Sequence, residues 1–372
     1  MRILQWLNSY FPDTGGIQTF CADLLPELQH RGHDVLLLTA HTRHEAPDIE
    51  VVGGLEVRRV DSVKPLLRRD PGGILRAQQQ VGRVIREFEP DIVHIHPCGP
   101  ELPYVARALA KRPTPTVMTL HNNYDDLAID LGEGSFFGRA LDTAGRVAAV
   151  SDDARRWLLT ERPDIEQKTC TIHNGIPDRV EPPDPLPWNP PVLGFIGRVE
   201  PQKRLDVLLA AFATVVARHE RVRLRIAGDG SDMASIRSLT SSLGLDGRVD
   251  LVGMVAPDQV PRLLDATTVF VMSSDYEGLP IALLEAARHA RPTVATDVGG
   301  TREAVIDGAT GVLVERDEPA ALADAIVGLL DDPDRATELG HNARRHFVES
   351  FGLAACADRY EQLYADTVEA RG

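Results

Sequence analysis

The amino-acid sequence predicts an α/β protein built from two doubly wound domains, each a parallel sheet wrapped by helices. Three observations predict it. Short runs rich in Val, Ile and Leu alternate with stretches of helical apolar spacing along the chain, the pattern of parallel strands joined by crossover helices. The alternation runs twice, starting afresh at Pro191-Val-Leu-Gly-Phe-Ile-Gly. Between the two series lie Pro177, Pro182, Pro183, Pro185, Pro187, Pro190 and Pro191, and a stiff, extended segment of this kind marks a domain boundary. The expected organisation is a first domain over 1–178, a linker over 179–191, a second domain over 192–350 and a closing segment over 351–372.

Each element follows from its spacing. RILQWL is the first strand, Ser9 to Gly16 a loop, and Ile17, Phe20, Leu24, Leu25 and Leu28 form a helical apolar stripe that Gly32 ends. Pro26 inside that helix predicts a kink. DVLLLT is the second strand, and further strands are expected at 91–95, 115–120, 146–150 and, shorter, 170–173. Ser151 reads as a helix cap and Asn174-Gly175 as a turn. The second series is PVLGFIG, RVRLRIAG, VDLVG, TVFVMS and PTVATD, with a capping loop at DDPD (331–334) and a last helix over 353–369 carrying Tyr360, Leu363 and Tyr364.

The bulk composition bounds the function. A chain of 372 residues with 26% charged and 43% hydrophobic residues has length for two ordinary cores. A net charge of −15 and a pI near 5.3 argue against nucleic acid as main partner, since that needs an extended basic face. Cys21, Cys98, Cys170 and Cys356 lack metal-type spacing and read as reduced core thiols, implying a cytoplasmic location. MRILQWLN lacks the long apolar region and cleavage site of a signal peptide and no run approaches the ~20 apolar residues of a membrane span, so any membrane contact is expected to be peripheral.

The most informative segment is SSDYEGLPIALLEAA, Ser273 to Ala287. An apolar strand runs into a loop with Glu277, and Pro280 suits the first helical position, so a helix is expected to start at about 280. Its first N–H groups lack intrahelical partners and Gly278 lets the chain come close to a ligand, so this end can hold a diphosphate. Glu277 on the loop and Glu285 in the helix are placed to accept hydrogen bonds from vicinal sugar hydroxyls on either side of it.

These residues sit in a wider pattern. Glu277-Gly278-Leu279-Pro280-Ile281, closing on Glu285-Ala286, resembles the E-G-[FL]-[GP]-x-x-x-x-E-A signature of the retaining glycosyltransferases of family 4. SYFPDTGGIQTFCADLLPELQHRGHDVLLLT, PDIVHIH, VMTLHN, VAAVSDDA, IHNGI, FIGRVEPQKRLDVLLAAF, LRIAGDG and TDVGGTREAVIDGATGVLV follow the family's order from Ser9 to Val314. The resemblance implies the GT-B fold, two Rossmann-like domains facing a cleft, with acceptor on the first domain, donor on the second, and the last helix crossing back to the first.

It also implies roles. Arg198 and Lys203, following Gly197 after a strand, would touch the donor diphosphate, where a fixed cation stabilises the charge that builds as the sugar leaves. His121 matches the family histidine that hydrogen-bonds the transferred sugar. Met254, with its neighbours Val252 and Gly253, stands where the family reads the nucleotide base. Gly15 and Gly16 would let backbone approach the donor phosphate or the acceptor. Gly228-Asp229-Gly230 is either a donor contact or only a strand-to-helix turn. GDGSDM breaks G-x-G-x-x-G at Met233, which disfavours a nicotinamide cofactor. His94 and His96 could suggest a metal, but two residues apart on a strand they are expected to point to opposite faces. No Asp-x-Asp sits at a strand end, so no metal and no other cofactor is expected.

The sequence reading is thus a cytoplasmic, metal-independent retaining transferase moving a hexose or N-acetylhexosamine from a nucleoside-diphosphate sugar to a hydroxyl. The Leu-Pro after Glu277-Gly278 favours UDP over GDP-mannose by family resemblance. For the acceptor, Asn122, Tyr124, Asp125, Asp126, Asp130 and Glu133 favour a small soluble polyol or amino-sugar. Against this, Lys64, Arg68, Arg69, Arg76, Arg83 and Arg86, interleaved with Leu66, Leu67, Ile74, Leu75, Val81, Val84 and Ile85, form a basic amphipathic stretch that could lie on an anionic membrane and serve a lipid acceptor. A sugar-nucleotide epimerase of the same fold is the further alternative.

Overall fold

The structure is a computed structural model and describes residues 1–13, 15–42, 46–97, 102–122, 130–132 and 134–370. Cys98, Tyr124, Asp125, Asp126 and Glu133 lie outside the described residues. The chain divides into two compact units, Met1–Gly175 with Leu353–Gly372, and Ile176–Gly352.

Unit 1 contains β1 (Arg2–Leu7), α1 (Gly16–His30), β2 (Asp34–Ala40), β3 (Ile49–Val52), β4 (Leu55–Val60), α2 (Val63–Leu67), α3 (Pro71–Phe88), β5 (Ile92–His96), α4 (Leu102–Lys111), β6 (Thr116–Leu120), α5 (Phe136–Thr143), β7 (Arg146–Ala149), α6 (Asp152–Glu161) and β8 (Thr169–Thr171). Its sheet order is β3-β4-β2-β1-β5-β6-β7-β8. All pairs are parallel except the edge hairpin β3–β4, which the sequence reading did not include. The signal was present: Gly53 and Gly54 take φ +58° and +88°, the left-handed pair of a two-residue hairpin turn.

Unit 2 contains β9 (Val192–Ile196), α7 (Leu205–Arg218), β10 (Arg223–Ala227), α8 (Met233–Ser242), β11 (Val249–Gly253), α9 (Val260–Asp265), β12 (Val269–Met272), α10 (Ile281–Arg288), β13 (Thr293–Thr296), α11 (Thr301–Ala304), β14 (Gly311–Val314), α12 (Pro319–Asp331) and α13 (Pro333–Ser350). The order is β11-β10-β9-β12-β13-β14. The proline-rich stretch docks on this unit: Leu186 and Trp188 pack against its core, and the Asp184 carbonyl accepts from the buried Arg291 guanidinium. The last helix, α14 (Leu353–Glu369), belongs to unit 1. There Arg31 at the end of α1 reaches Asp358 at 2.5 Å and Glu361 at 2.6 Å, and α14 lays Tyr360 and Tyr364 against the sheet.

Strand burial explains the runs of Val, Ile and Leu. β5, β6, β12 and β13 are buried along their whole lengths, as strands covered on both faces must be. α1 runs through Pro26 and ends at His30, with Gly32 at φ +89°. Ser151 caps α6 by accepting from the Ala154 N–H at 3.1 Å, and Asp332 caps α13 at the Arg335 N–H. The basic amphipathic stretch is two helices, not one, broken at Asp70-Pro71, where Asp70 caps α3. Its apolar stripe, Ala77, Val81, Val84, Ile85 and Phe88, lies in the core of unit 1, and Leu67 and Leu75 are the exposed members. No helix among the described residues is long and apolar enough to cross a membrane.

Candidate active site

In unit 2 the winding reverses between β9 and β12, and loops leaving neighbouring strands in opposite directions open a crevice at their carboxyl ends. The β9 loop brings Gly197, Arg198 and Lys203 there, and the β12 loop brings Ser273 to Pro280. Lys203 Nζ lies 2.5 Å from Glu277 Oε1, with side chains 13% and 8% exposed. Ser274 Oγ donates to the same oxygen at 2.6 Å, so Glu277 is oriented from two sides.

The loops are locked together around that pair. Arg204, at φ +46°, bridges to Asp275 at 2.9 Å, and to Asp317 and Asp206. The Gln202 carbonyl accepts from the Asp275 N–H at 2.8 Å, and Ser273 Oγ donates to the carbonyls of Lys203 and Arg204. Arg204, Ser274 and Asp275 are not among the residues the sequence singles out: it points to the basic pair Arg198 and Lys203 after the Gly197 turn, and not to Arg204 next to Lys203. Arg198 is exposed, and among the described residues it forms no ion pair.

Two glycines let backbone meet backbone here. A Cβ on Gly228 (φ +140°) would overlap the Gly197 carbonyl, and one on Gly299 (φ +47°) the Glu277 carbonyl. No side chain can occupy either place, so the loops after β9, β10, β12 and β13 converge as bare main chain, the surface a phosphate group needs. Pro280 stands one position before the helix rather than inside it. Its ψ of 118° is extended and α10 begins at Ile281, so the free N–H groups belong to Ile281 and Ala282. Leu279 and Ile281 are buried and Glu285 is half-buried within α10. Met254 is exposed, while the Gly253 carbonyl is taken by the Gly228 N–H at 2.8 Å.

In unit 1 the reversal lies between β1 and β5, and its chemistry is neutral. The register sets Gln5 beside His94 and Leu7 beside His96. His94 and His96 are not on opposite faces: residues i and i+2 of a strand share one face, and their rings lie 4.1 Å apart. His96 Nδ1 meets His121 Nε2 at 2.7 Å and His96 Nε2 meets Gln5 Oε1 at 3.0 Å. Gln5 Nε2 donates to Tyr364 Oη at 3.1 Å, Tyr364 meets His94 Nδ1 at 2.7 Å, and His94 Nε2 meets Thr119 Oγ1 at 2.7 Å. Burial lowers His94 and His121 to about 3 and His96 well below its ordinary value, the neighbouring histidines adding to the shift of His94 and His96. These imidazoles are therefore neutral at pH 7. Asn122 follows His121 at the edge of the described segment, and Gly15 and Gly16 form the start of α1. Gly15 has an extended φ of 174°, which any residue adopts.

Comparison with known proteins agrees along the whole chain. Residues 14–180 match the family model described as Glycosyltransferase Family 4, and residues 180–346 that described as Glycosyl transferases group 1. The D-inositol 3-phosphate glycosyltransferase of Kineococcus radiotolerans is 30% identical, covering 96% of this chain and 92% of the relative. The enzyme of the same name from Thermobispora bispora is 28% identical over 96% and 91%. Among solved structures, Anabaena HepE in complex with UDP-glucose superposes with a TM-score of 0.77 at 20% identity, over 100% of both chains.

Proposed function

The chain belongs to the glycosyltransferases of family 4, and from that premise we propose that it moves a hexose or N-acetylhexosamine from a UDP-sugar to a hydroxyl of a small soluble acceptor, with retention at the anomeric carbon and without a metal. The observation that carries the reading is the Lys203–Glu277 pair at the winding reversal of unit 2, set among main-chain loops, with Glu277 on the loop that runs into α10. As the C1–O bond of the donor breaks, negative charge builds on the departing diphosphate. Arg198, Lys203 and the free N–H groups of Ile281 and Ala282 are fixed partners for that charge. Glu277 takes hydroxyls of the transferred sugar and Glu285 those of the ribose. His121 takes a further sugar hydroxyl in unit 1.

The acceptor reading draws on two observations. Two relatives matched over nine tenths of their length bear the name of an inositol 3-phosphate glycosyltransferase, which suits a small cyclitol acceptor. The apolar stripe of α3 is spent on its own core, which removes the surface a membrane-lying helix would need. The location that suits such an acceptor is the cytoplasm.

A panel of UDP-glucose, UDP-N-acetylglucosamine and GDP-mannose with inositol phosphates, polyols and a lipid extract, read by mass, tests the reading. A single UDP-sugar transferred to a soluble polyol is the expected outcome. Transfer to lipid alone, use of GDP-mannose alone, or epimerised donor without acceptor would overturn it. With EDTA, turnover should change by less than about tenfold. Complete loss restored by magnesium or manganese would overturn the metal-free mechanism.

A further inference from the structure

The hydrogen-bonded chain beneath His121 has a polarity, and that polarity reaches the residue proposed to touch the sugar. We infer that His96 and Gln5 are positioning residues that act through His121, holding its imidazole with the proton on Nε2 so that Nδ1 is presented as a hydrogen-bond acceptor to a donor-sugar hydroxyl. The inference rests on the reading of His121 given above, and it adds which atom of the ring is available and why.

Gln5 Nε2 donates to Tyr364 Oη, which leaves Gln5 Oε1, an acceptor only, facing His96 Nε2 at 3.0 Å. His96 Nε2 therefore carries a proton. His96 is 1% exposed, its ring nitrogens meet His121 at Nδ1 and Gln5 at Nε2, with Cys21 Sγ 4.0 Å from the same Nε2, and burial beside the other two histidines keeps the ring neutral, so it holds that one proton only and its Nδ1 accepts. His121 Nε2, 2.7 Å away, must then be the N–H of that bond. A neutral imidazole has one N–H, so Nδ1 of His121 accepts. The far side of the chain agrees: Tyr364, accepting from Gln5, gives its own proton to His94 Nδ1, and the His94 Nε2–H goes to Thr119 Oγ1. Turning the Gln5 amide over would reverse the sense of every bond, which makes that amide the element that sets the polarity.

The chemical consequence is a preference among donors. An acceptor nitrogen at a neutral site discriminates a hydroxyl, which can donate, from a fluorine or hydrogen, which cannot. A site built to bond a hydroxyl rejects analogues that lack it more strongly than an apolar pocket does.

The test combines tautomers and kinetics. In protein labelled with 15N-histidine, long-range 1H–15N spectra at pH 7 should show both His96 and His121 protonated on Nε2, a measurement that needs no substitution at the relay. His96→Leu should lower turnover of the UDP-sugar about 10- to 100-fold, the range seen when the hydrogen-bond partner of a metal-bound histidine is removed, with UDP binding unchanged. His96→Asn, whose amide can offer an oxygen near the Nδ1 position, should recover most of that loss. Among singly deoxyfluorinated donors, the position penalised in the parent should lose its penalty in both His121→Ala and His96→Leu. A proton on Nδ1 of His121, or equal turnover in His96→Leu and the parent while His121→Ala is impaired, would overturn the inference and leave the role of His121 standing. Unchanged turnover in His121→Ala beside the expected tautomers would instead overturn the role of His121 and leave the relay as structure.

Discussion

The two units share a doubly wound topology and place their polar residues at the same point of it, yet fill that point with opposite chemistry. In unit 2 the reversal between β9 and β12 holds charges: Lys203 against Glu277, and Arg204 among Asp206, Asp275 and Asp317. In unit 1 the reversal between β1 and β5 holds, among the described residues, an uncharged series at neutral pH: Gln5, three histidines, Thr119 and two tyrosines, with Cys21 against His96. The difference teaches what a switch point supplies. Topology supplies a crevice at the carboxyl ends of strands, and the side chains decide whether that crevice stabilises a developing charge or orients hydroxyls.

Acid should separate the two most strongly. Unfolded, each imidazole takes a proton near its ordinary value of 6.5, whereas folded His94 and His121 resist until about 3 and His96 until well below 6.5. The unfolded state thus binds more protons throughout that window, so stability is full above pH 6.5 and is lost as pH falls through it. At pH 5 the loss is roughly 2 kcal/mol for each of His94 and His121, and His96 adds to it in the same direction. Unit 2 has one such residue, His289, lowered by burial to about 4 despite its bond to Asp265. Hydrogen exchange followed from pH 7 to pH 4.5 should show β1, β5 and β6 losing protection before β9 and β12. Simultaneous loss would break the contrast.

The charged site answers to substitution instead. Lys203→Ala leaves Glu277, 7% exposed, without its cation, and should destabilise unit 2 by about 3 to 5 kcal/mol, as when one partner of a buried pair is removed. Adding Glu277→Gln should restore the melting temperature without restoring turnover. Arg198→Ala, at an exposed position without an ion pair among the described residues, should leave stability within about 0.5 kcal/mol yet lower kcat/KM by about 2 to 4 kcal/mol, as for other donors to a developing charge. A melting shift in Arg198→Ala with normal turnover would reverse its assignment from ligand partner to structure.

The smallest effect sharpens the contrast within unit 2. Glu285→Ala should weaken UDP binding by about 1.5 to 3 kcal/mol, the size of a hydrogen bond to a charged group. Glu277→Ala should spare UDP and weaken the complete UDP-sugar. Calorimetric titration of both ligands into both variants checks this split, and equal losses in all four titrations would remove it.

Much of this protein was legible in the sequence because much of it is local. Two parallel-sheet α/β domains, the second series of strands, the caps at Ser151 and Asp332 and the final helix at 353–369 follow from period and capping chemistry that neighbouring residues settle among themselves. The E-G-L-P segment and the cation after β9 could likewise be read, since strand ends and helix starts are local features. The sequence did not show that Lys203 grips Glu277 74 residues away, that Arg204 ties three aspartates, or that Tyr364 closes a chain with Gln5 359 residues before it. The pair His94 and His96 shows the limit: their spacing was in plain view, but what their shared face meets is set by β1, β6 and α14 arriving from distant parts of the chain. Periodicity specifies which side of a strand a residue occupies. Only the sheet order and the packing of helices onto it decide which partners wait there, because those contacts depend on the free energy of the whole core rather than of any window within it.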